Sequence, residues 1–299
     1  MLNIGIKPID LIGLRPLMRL SSGNPEINIG VIDGPVDITH PAFQGSRIKT
    51  VEESQIAACK DASDLACIHG TFITGILSAK RGVPAPSICP NCTIILNPIF
   101  QEKTNCITDQ PVNIPSSTPA ELAKAIIRTI DAGSKVVNLS VGLSTSSITT
   151  YDEMFEVYDY AIRRGVIIVV AAGNQGNIGH NSLVSHDWPI PIVACDSTGK
   201  FSSVSNFGSS IGKNGLMAPG IDIESTYPGG GYISLSGTSV ATSFVTGAIA
   251  LLWSLFPDIT AAELIQSIRQ TNHQGRKLTI LPPLLNIRDS YYYLRGKFN

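Results

Sequence analysis

Short apolar runs rich in β-branched residues recur along the chain, and longer helical stretches separate them. The runs 27–32, 93–100, 135–141, 166–171 and 190–194 predict strands. The run from Val166 to Ala172 is apolar throughout, which predicts a strand buried on both faces. Helices are predicted over 71–79, 119–132, 149–164, 239–255 and 260–269. Thr118-Pro119-Ala120-Glu121 reads as a helix start with proline in the first turn. A last helix over 284–294 follows the break at Pro282-Pro283. Strand and helix alternate, the signature of an α/β fold with a mainly parallel central sheet and helices on both faces. Loops at 202–215 and 227–231, rich in Gly, Ser and Pro, are expected to surround a cleft. There is no internal repeat and no interdomain linker. Residues 1–299 therefore read as one domain, with 1–23 as an extension packing on it and 281–299 as a C-terminal helix.

Four segments carry candidate chemistry. Ser236-Gly237-Thr238-Ser239 opens the long apolar helix. The unpaired N–H groups and positive dipole end of a helix N-terminus favour negative charge, which suits a serine acylated beside an oxyanion. Capping explains the same serine, because helices commonly start with one. Ile29-Gly30-Val31-Ile32-Asp33-Gly34 places an acid at the carboxyl end of a strand, where α/β folds build their sites; it is also an ordinary Asp-Gly turn. His69-Gly70-Thr71 sets a histidine at the entry of an apolar helix, where most histidines are structural. Asn174 closes a strand in Gly173-Asn174-Gln175-Gly176, either as a left-handed turn residue or as an amide aimed at an oxyanion.

Taken together these residues make one constellation. A serine hydroxyl becomes nucleophilic when a base takes its proton, and the resulting imidazolium needs an acid to orient and stabilise it. Asp33, His69 and Ser239 supply those roles, and Asn174 with the backbone N–H of Ser239 supplies an oxyanion hole. The chain order Asp, His, Ser is that of subtilisin, and the sequence resembles the subtilisin-like serine proteases, or subtilases. Val31-Ile32-Asp33-Gly34 resembles their aspartate motif, His69-Gly70-Thr71 their histidine motif, Ala171-Ala172-Gly173-Asn174 their oxyanion motif and Gly237-Thr238-Ser239-Val240-Ala241 their serine motif. Met217-Ala218-Pro219-Gly220 matches a family loop just ahead of the serine segment.

The resemblance implies a subtilisin-like three-layer sandwich and a serine endopeptidase working through an acyl-enzyme. It also implies a peptide-binding strand edge at Ser140, Val141 and Gly142, where a substrate backbone pairs in extended form. Asp33-Gly34-Pro35-Val36-Asp37, His40-Pro41-Ala42-Phe43 and Pro282-Pro283-Leu284-Leu285 resemble the narrower group that matures cyanobactin-type ribosomal peptides. A processing protease that removes a leader from a precursor peptide is the activity this implies. Two features depart from the broader family. Lys80-Arg81-Gly82-Val83-Pro84 is too short for the insertion that binds calcium in secreted subtilisins, so no metal and no cofactor is expected. Ser243 stands where the serine motif usually has proline.

Composition narrows the partners. Across 299 residues, 43% hydrophobic content supports a large core, and a net charge of −1 gives no electrostatic case for nucleic acid or an anionic membrane. No apolar run is expected to reach the length of a membrane span. Residues 1–20 lack a signal-peptide layout, since Lys7, Asp10, Arg15 and Arg19 interrupt them. Without that layout, or a visible prodomain ahead of Asp33, a cytoplasmic processing enzyme is expected. Of six cysteines, Cys89-Pro90-Asn91-Cys92 resembles half a zinc site that Cys59 and Cys67 could complete; a disulfide among these four is the competing possibility. Cys106 has no assigned role, and Cys195 reads as a small buried hydrophobe. Two other functional classes use the same constellation. One is a transpeptidase or macrocyclase, whose helical lid would not fit between Asp33 and His69. The other is a catalytically inactive peptide-binding module.

Overall fold

A computed structural model describes residues 7–52, 59–100, 118–140, 149–178, 183–273 and 279–298. Its strands are β1 (Asn28–Asp33), β2 (Arg47–Thr50), β3 (Thr93–Pro98), β4 (Val136–Leu139), β5 (Ile167–Ala171), β6 (Ile190–Cys195), β7 (Leu216–Pro219), β8 (Ile223–Tyr227) and β9 (Gly231–Leu235). The helices are α1 (Pro8–Leu11), α2 (Leu14–Leu20), α3 (Leu65–Ser78), α4 (Pro119–Asp131), α5 (Thr149–Arg164), α6 (Ser209–Asn214), α7 (Thr238–Leu255), α8 (Ala261–His273) and α9 (Ile287–Phe298). β1 to β7 form one parallel sheet in the order β2-β3-β1-β4-β5-β6-β7, and β8 with β9 is an antiparallel hairpin.

The apolar runs are continuous because both faces of this sheet are covered. Side chains alternate along a strand, and here the alternate members enter different cores. Val136, Ile167 and Val169 pack with α3 and α7. Their neighbours Val137, Ile168 and Val170 pack with α4 and α5. The result is the three-layer α/β sandwich expected from the sequence. α7 is long and apolar enough to cross a membrane by length and composition, contrary to the expectation that no run would be. It lies 83% buried between the sheet and α3, so its hydropathy is that of a core helix.

Several boundaries differ from those predicted, each for a local reason. α3 begins at Leu65, earlier than expected, because the Asp64 carboxylate accepts the N–H groups of Ala66 and Cys67 at 2.8 and 3.2 Å. His69 thus sits inside the helix rather than at its entry. Ser209–Asn214, expected as loop, is the short helix α6, and the hairpin turn between β8 and β9 occupies the other expected loop. Met217-Ala218-Pro219 is strand rather than loop. α9 starts at Ile287 and not at 284, because the preceding residues run along β7 instead: Met217 N–H donates to Pro283 O at 2.7 Å and Leu285 N–H to Met217 O at 2.8 Å. β2 escaped prediction because its Arg47-Ile48-Lys49-Thr50 sequence is an exposed edge with no apolar run. α1 and α2 form in the N-terminal segment, where Ile12, Leu14 and Leu17 are fully buried in the core.

The cysteines also separate. Cys59 and Cys67 form a disulfide across eight positions, which ties the approach to α3 to its first turn and removes both from any zinc site. Cys89 and Cys92 are buried free thiols, and Cys106 lies outside the described residues. Cys195 is buried at the end of β6, where burial and the nearby Asp196 charge push its thiol up to about 12. That fits its reading as a small hydrophobe.

Closing so short a loop constrains the unfolded chain by about 2 kcal/mol. Replacing Cys59 and Cys67 together by serine should lower the unfolding free energy by about that amount, read from urea denaturation. An unchanged midpoint would mean that the Asp64 cap and helix packing hold the segment unaided.

Candidate active site

Parallel neighbours end on the same side of a sheet, so the order β1-β4-β5 brings three loops into one row. Asp33 is the last residue of β1, Ser140 follows β4, and Gly173-Asn174 follows β5. α7 packs across β4, β5, β6 and β7 on one face, and its N-terminus delivers Ser239 to that row.

Asp33 is almost fully buried, and its Oδ1 accepts two hydrogen bonds at 2.7 Å, from Gly34 N–H and from His69 Nδ1–H. A carboxylate only accepts, so this bond fixes the proton on Nδ1 and leaves the Nε2 lone pair facing outward as a base. Burial disfavours a charged ring at His69. The charge of Asp33 and its hydrogen bond act the other way and prevail, so the imidazole pKa lies above its ordinary value. The pair can form because two glycines meet behind it. A Cβ on Gly34 would lie 2.1 Å from Ala66 O, and one on Gly70 would lie 2.4 Å from Gly34 O. Both distances are far inside van der Waals contact, so the Asp33 loop can lie against α3 only where both side chains are absent.

Ser239 occupies the first turn of α7 and is half-buried. The loop after β5 is fastened to that same turn. Asn174 Oδ1 accepts the N–H of Thr238 at 2.9 Å, and Gly173 N–H donates to Thr238 Oγ1 at 3.2 Å. With its oxygen committed to a donor, the Asn174 amide presents Nδ2 on the other side, against Gly237: a Cβ there would be 3.3 Å from Nδ2. The amide thus lies at the turn that carries Ser239, with Oδ1 accepting and Nδ2 left as a donor. In this conformation the Ser239 hydroxyl makes no hydrogen bond to His69 among the described residues; such bonds often tighten only when substrate binds.

Sequence reasoning missed the residues that hold this arrangement. Asn206 braces the Asn174 loop: its N–H donates to Gly173 O at 2.9 Å, and its Oδ1 accepts the N–H groups of Gln175 and Asn177 at 3.1 and 3.0 Å. Asn138, inside β4, donates from Nδ2 to Ser140 Oγ at 2.7 Å and accepts at Oδ1 from Thr246 Oγ1 of α7 at 2.9 Å. It thereby couples the start of the expected peptide edge to the serine-bearing helix. A polar residue inside an otherwise apolar strand was the available signal for Asn138. Of the expected edge, Ser140 is buried at the end of β4, while Val141 and Gly142 lie outside the described residues. Asp37 and His40 have structural roles. Asp37 Oδ2 accepts from Gly229 N–H at 2.8 Å and His40 Nε2 donates to Gly231 O at 2.9 Å, so both hold the β8–β9 turn.

A parallel α/β sandwich with a buried carboxylate bonded to a half-buried imidazole, and a serine in the first turn of a core helix, defines a class of protein, and sequence comparison assigns it. The model of the subtilase family matches residues 24–282, and the chain belongs to that family. A thermophilic serine proteinase from Bacillus sp. (strain AK1) is 32% identical over 254 residues, which cover 84% of this chain and 58% of that protein. Subtilisin NAT from Bacillus subtilis subsp. natto is 27% identical over 278 residues, 91% of this chain and 64% of that protein. The chain thus spans less than two thirds of either relative. Among solved structures, the prenylagaramide maturation protease PagA superposes with a TM-score of 0.79 at 27% identity, covering 94% of this chain and 98% of that one. The protease domain of PatA gives 0.78 at 28% identity, covering 92% and 97%.

The Asp33 contact can be tested without substrate. In the wild type the His69 imidazole should titrate above the ordinary value of 6.5, followed by NMR. In Asp33→Asn the stabilising charge is gone and burial remains, so the titration should fall below that value. Because the folded-state pKa is raised, the pair stabilises the fold at acid pH, and that contribution fades as pH rises through the His69 titration. Identical titrations in the two proteins would show that Asp33 does not set the charge of the ring.

Proposed function

We propose that this chain is a serine endopeptidase that cleaves a precursor peptide during its maturation. The observation that carries the chemistry is the Asp33–His69 bond at 2.7 Å; the Asn174 amide, its oxygen committed to Thr238 at the serine's own turn, accompanies it. Ser239 Oγ attacks the peptide carbonyl as His69 Nε2 takes its proton. Asp33 holds the ring and stabilises the imidazolium. Asn174 Nδ2 and the backbone N–H of Ser239 receive the oxyanion. The imidazolium then protonates the leaving amine, and water, activated by the same nitrogen, releases the acyl group from Ser239. An extended substrate pairs at the segment that the family resemblance assigns to this role, Ser140, Val141 and Gly142.

Likeness over nearly the whole length to PagA and the PatA protease domain, at 27% and 28% identity, supports a maturation substrate over general digestion. The Asp37 and His40 contacts to the β8–β9 turn give the segment after Asp33, which resembles the maturation proteases, a structural reason. Hydrolysis is favoured over transfer to an amine because the segment between Asp33 and His69 is too short for the helical lid of the resembling macrocyclases, which would shield an acyl-enzyme from water. The macrocyclase alternative predicts a different product, so one assay separates the two.

Ser239→Ala should abolish amide hydrolysis and leave the unfolding midpoint nearly unchanged, since it deletes only a hydroxyl. Asn174→Ala should lower kcat by roughly 10² to 10³ with little change in KM, because the amide acts on the developing oxyanion. Turnover of a peptide library by Ser239→Ala at the wild-type rate, read by mass spectrometry, would remove the serine from the mechanism.

With a cleavable peptide and a competing amine, linear hydrolysed fragments should dominate the products. A majority of cyclic or amine-adduct products would replace the endopeptidase with a transpeptidase.

A further inference from the structure

One of the polar junctions that fasten the N-terminal segment to the subtilase body contains a pair of thiols. Cys89-Pro90-Asn91-Cys92 is a tight turn in which Cys92 N–H donates to Cys89 O at 3.0 Å. The two side chains meet, the Cys89 thiol hydrogen-bonding to the Cys92 sulfur, and both residues are fully buried. Two thiols make half of a tetrahedral zinc set. No third His, Cys, Asp or Glu joins them among the described residues, and Cys59 and Cys67 are spent on their own disulfide.

What buries the sulfurs is a thin strap, residues 21–24, and not the core alone. Gly23 has φ +100°, and a Cβ on it would lie 2.7 Å from Cys92 Sγ and 3.4 Å from Cys89 Cβ. The strap is held by Asn91 N–H donating to Ser22 O at 2.8 Å and by Asn24 N–H donating to Ser254 Oγ at 3.0 Å. Ser254 Oγ is itself 3.8 Å from Cys92 Sγ. The Arg81 guanidinium donates to Ser21 O at 2.8 Å, to Ile88 O at 3.1 Å and to Met18 O, so a cation sits where strap and turn meet. The strap residues are only half-buried, and Asn91 at the turn's tip is exposed. Lifting those four residues removes the cover that lies on the Cys92 sulfur and against the Cys89 side chain.

We propose that Cys89 and Cys92 are a redox-active dithiol that closes to a disulfide by exchange with a small-molecule disulfide such as oxidised glutathione, with residues 21–24 as the cover that controls access. Cys92 is the attacking group. The Cys89 hydrogen bond, the Asn24 N–H and the Ser254 hydroxyl all favour its thiolate, whereas the bond to Cys92 and burial hold the proton on Cys89. The Cys92 thiolate attacks one glutathione sulfur, the S–S bond breaks, and one glutathione thiolate leaves. Cys89 then loses its proton and attacks the Cys92 sulfur of the mixed disulfide, expelling the second glutathione thiolate. Two protein thiols are oxidised, and one glutathione disulfide is reduced to two thiols. Closure draws the Cys92 sulfur toward Cys89 and away from Asn24 and Ser254, which loosens the strap.

The folded protein is equilibrated in glutathione buffers from fully reduced to fully oxidised, acid-quenched, alkylated in denaturant and digested with trypsin. Peptide 82–103 holds Cys89 and Cys92 and no other cysteine, so their state is read separately from Cys59 and Cys67. Both alkylation sites in that peptide should be lost together, with two hydrogens missing and no glutathione retained, and dithiothreitol should restore them. Gly23→Ala, which crowds the sulfur and strains the strap, should speed the oxidation several-fold. In Cys89→Ser, Cys92 should keep one glutathione. In Cys92→Ser, Cys89 should take up at least tenfold less. The wild-type mass measurement stands even if a variant misfolds. Two thiols that stay alkylatable across the whole series in folded protein, or a peptide carrying two glutathiones, would overturn the proposal.

Discussion

The close approach of Gly34 and Gly70 is the contact on which the rest of the site depends. β1 and α3 are both nearly buried, and each is held by its own packing in the core around the sheet. Whether a carboxylate at the end of one reaches an imidazole on the other depends on the thickness of whatever stands between them. Here that thickness is backbone alone, with a virtual Cβ on Gly70 only 2.4 Å from Gly34 O. A side chain at either position would push α3 outward by an amount comparable to a hydrogen bond's tolerance, and the 2.7 Å contact of Asp33 with His69 would open. The glycines in Asp-Gly and His-Gly are thus spacers for the chemistry of the residues before them.

The same logic extends along α3. A Cβ on Gly75 would lie 2.1 Å from Thr226 Oγ1, so β8 is seated directly on the helix. Ser225 and Thr226 hydroxyls donate to Phe72 O and Thr71 O at 2.8 and 2.7 Å. Thr71 Oγ1 accepts from Asp37 N–H at 2.9 Å. The hairpin that leads into Ser239 is therefore referenced to the helix that carries His69, and the loop after Asp33 is referenced to both. Residues far apart in sequence are positioned by one rigid element, as a preorganised site requires.

The sequence made three members of the candidate constellation legible because they sit where an apolar pattern stops, whereas His69 lies inside α3. Asp33 and Asn174 end strand runs, and Ser239 starts a helix run. Strand existence was legible for the same reason: β1, β3, β4, β5 and β6 are apolar on both faces. What stayed hidden lacks such a pattern. β2 is an exposed basic edge, β7 reads as a Met-Ala-Pro loop, and α6 is a single short turn of Ser, Gly and Lys. The start of α3 was hidden because its cap is one carboxylate, Asp64, in a polar stretch. Asn206 and Asn138 were hidden more deeply. Their roles are hydrogen bonds across 31 and 108 positions, to Gln175 and Thr246, and no local spacing encodes those.

α7 shows how one helix serves both chemistry and core. From Ala248 to Trp253 its side chains lie within the apolar cluster that covers the sheet. Its first half carries Thr238, Thr242, Ser243 and Thr246, all fully buried, and burial of a hydroxyl is costly unless it is bonded. Thr242 Oγ1 donates back to Thr238 O at 2.7 Å, Ser243 Oγ to Ser239 O at 3.1 Å and Thr246 Oγ1 across to Asn138 at 2.9 Å. Two of these bonds hold the carbonyls of the turn that presents Ser239. Ser243 stands where the subtilase pattern usually has proline, a residue without an N–H that disturbs a helix interior. Serine keeps α7 unbroken from Thr238 to Leu255 and adds its hydroxyl to the carbonyl of Ser239 itself. The departure therefore changes how the serine's backbone is held while leaving Asp33, His69 and Asn174 untouched, and its effect falls on where the hydroxyl points rather than on which residues act.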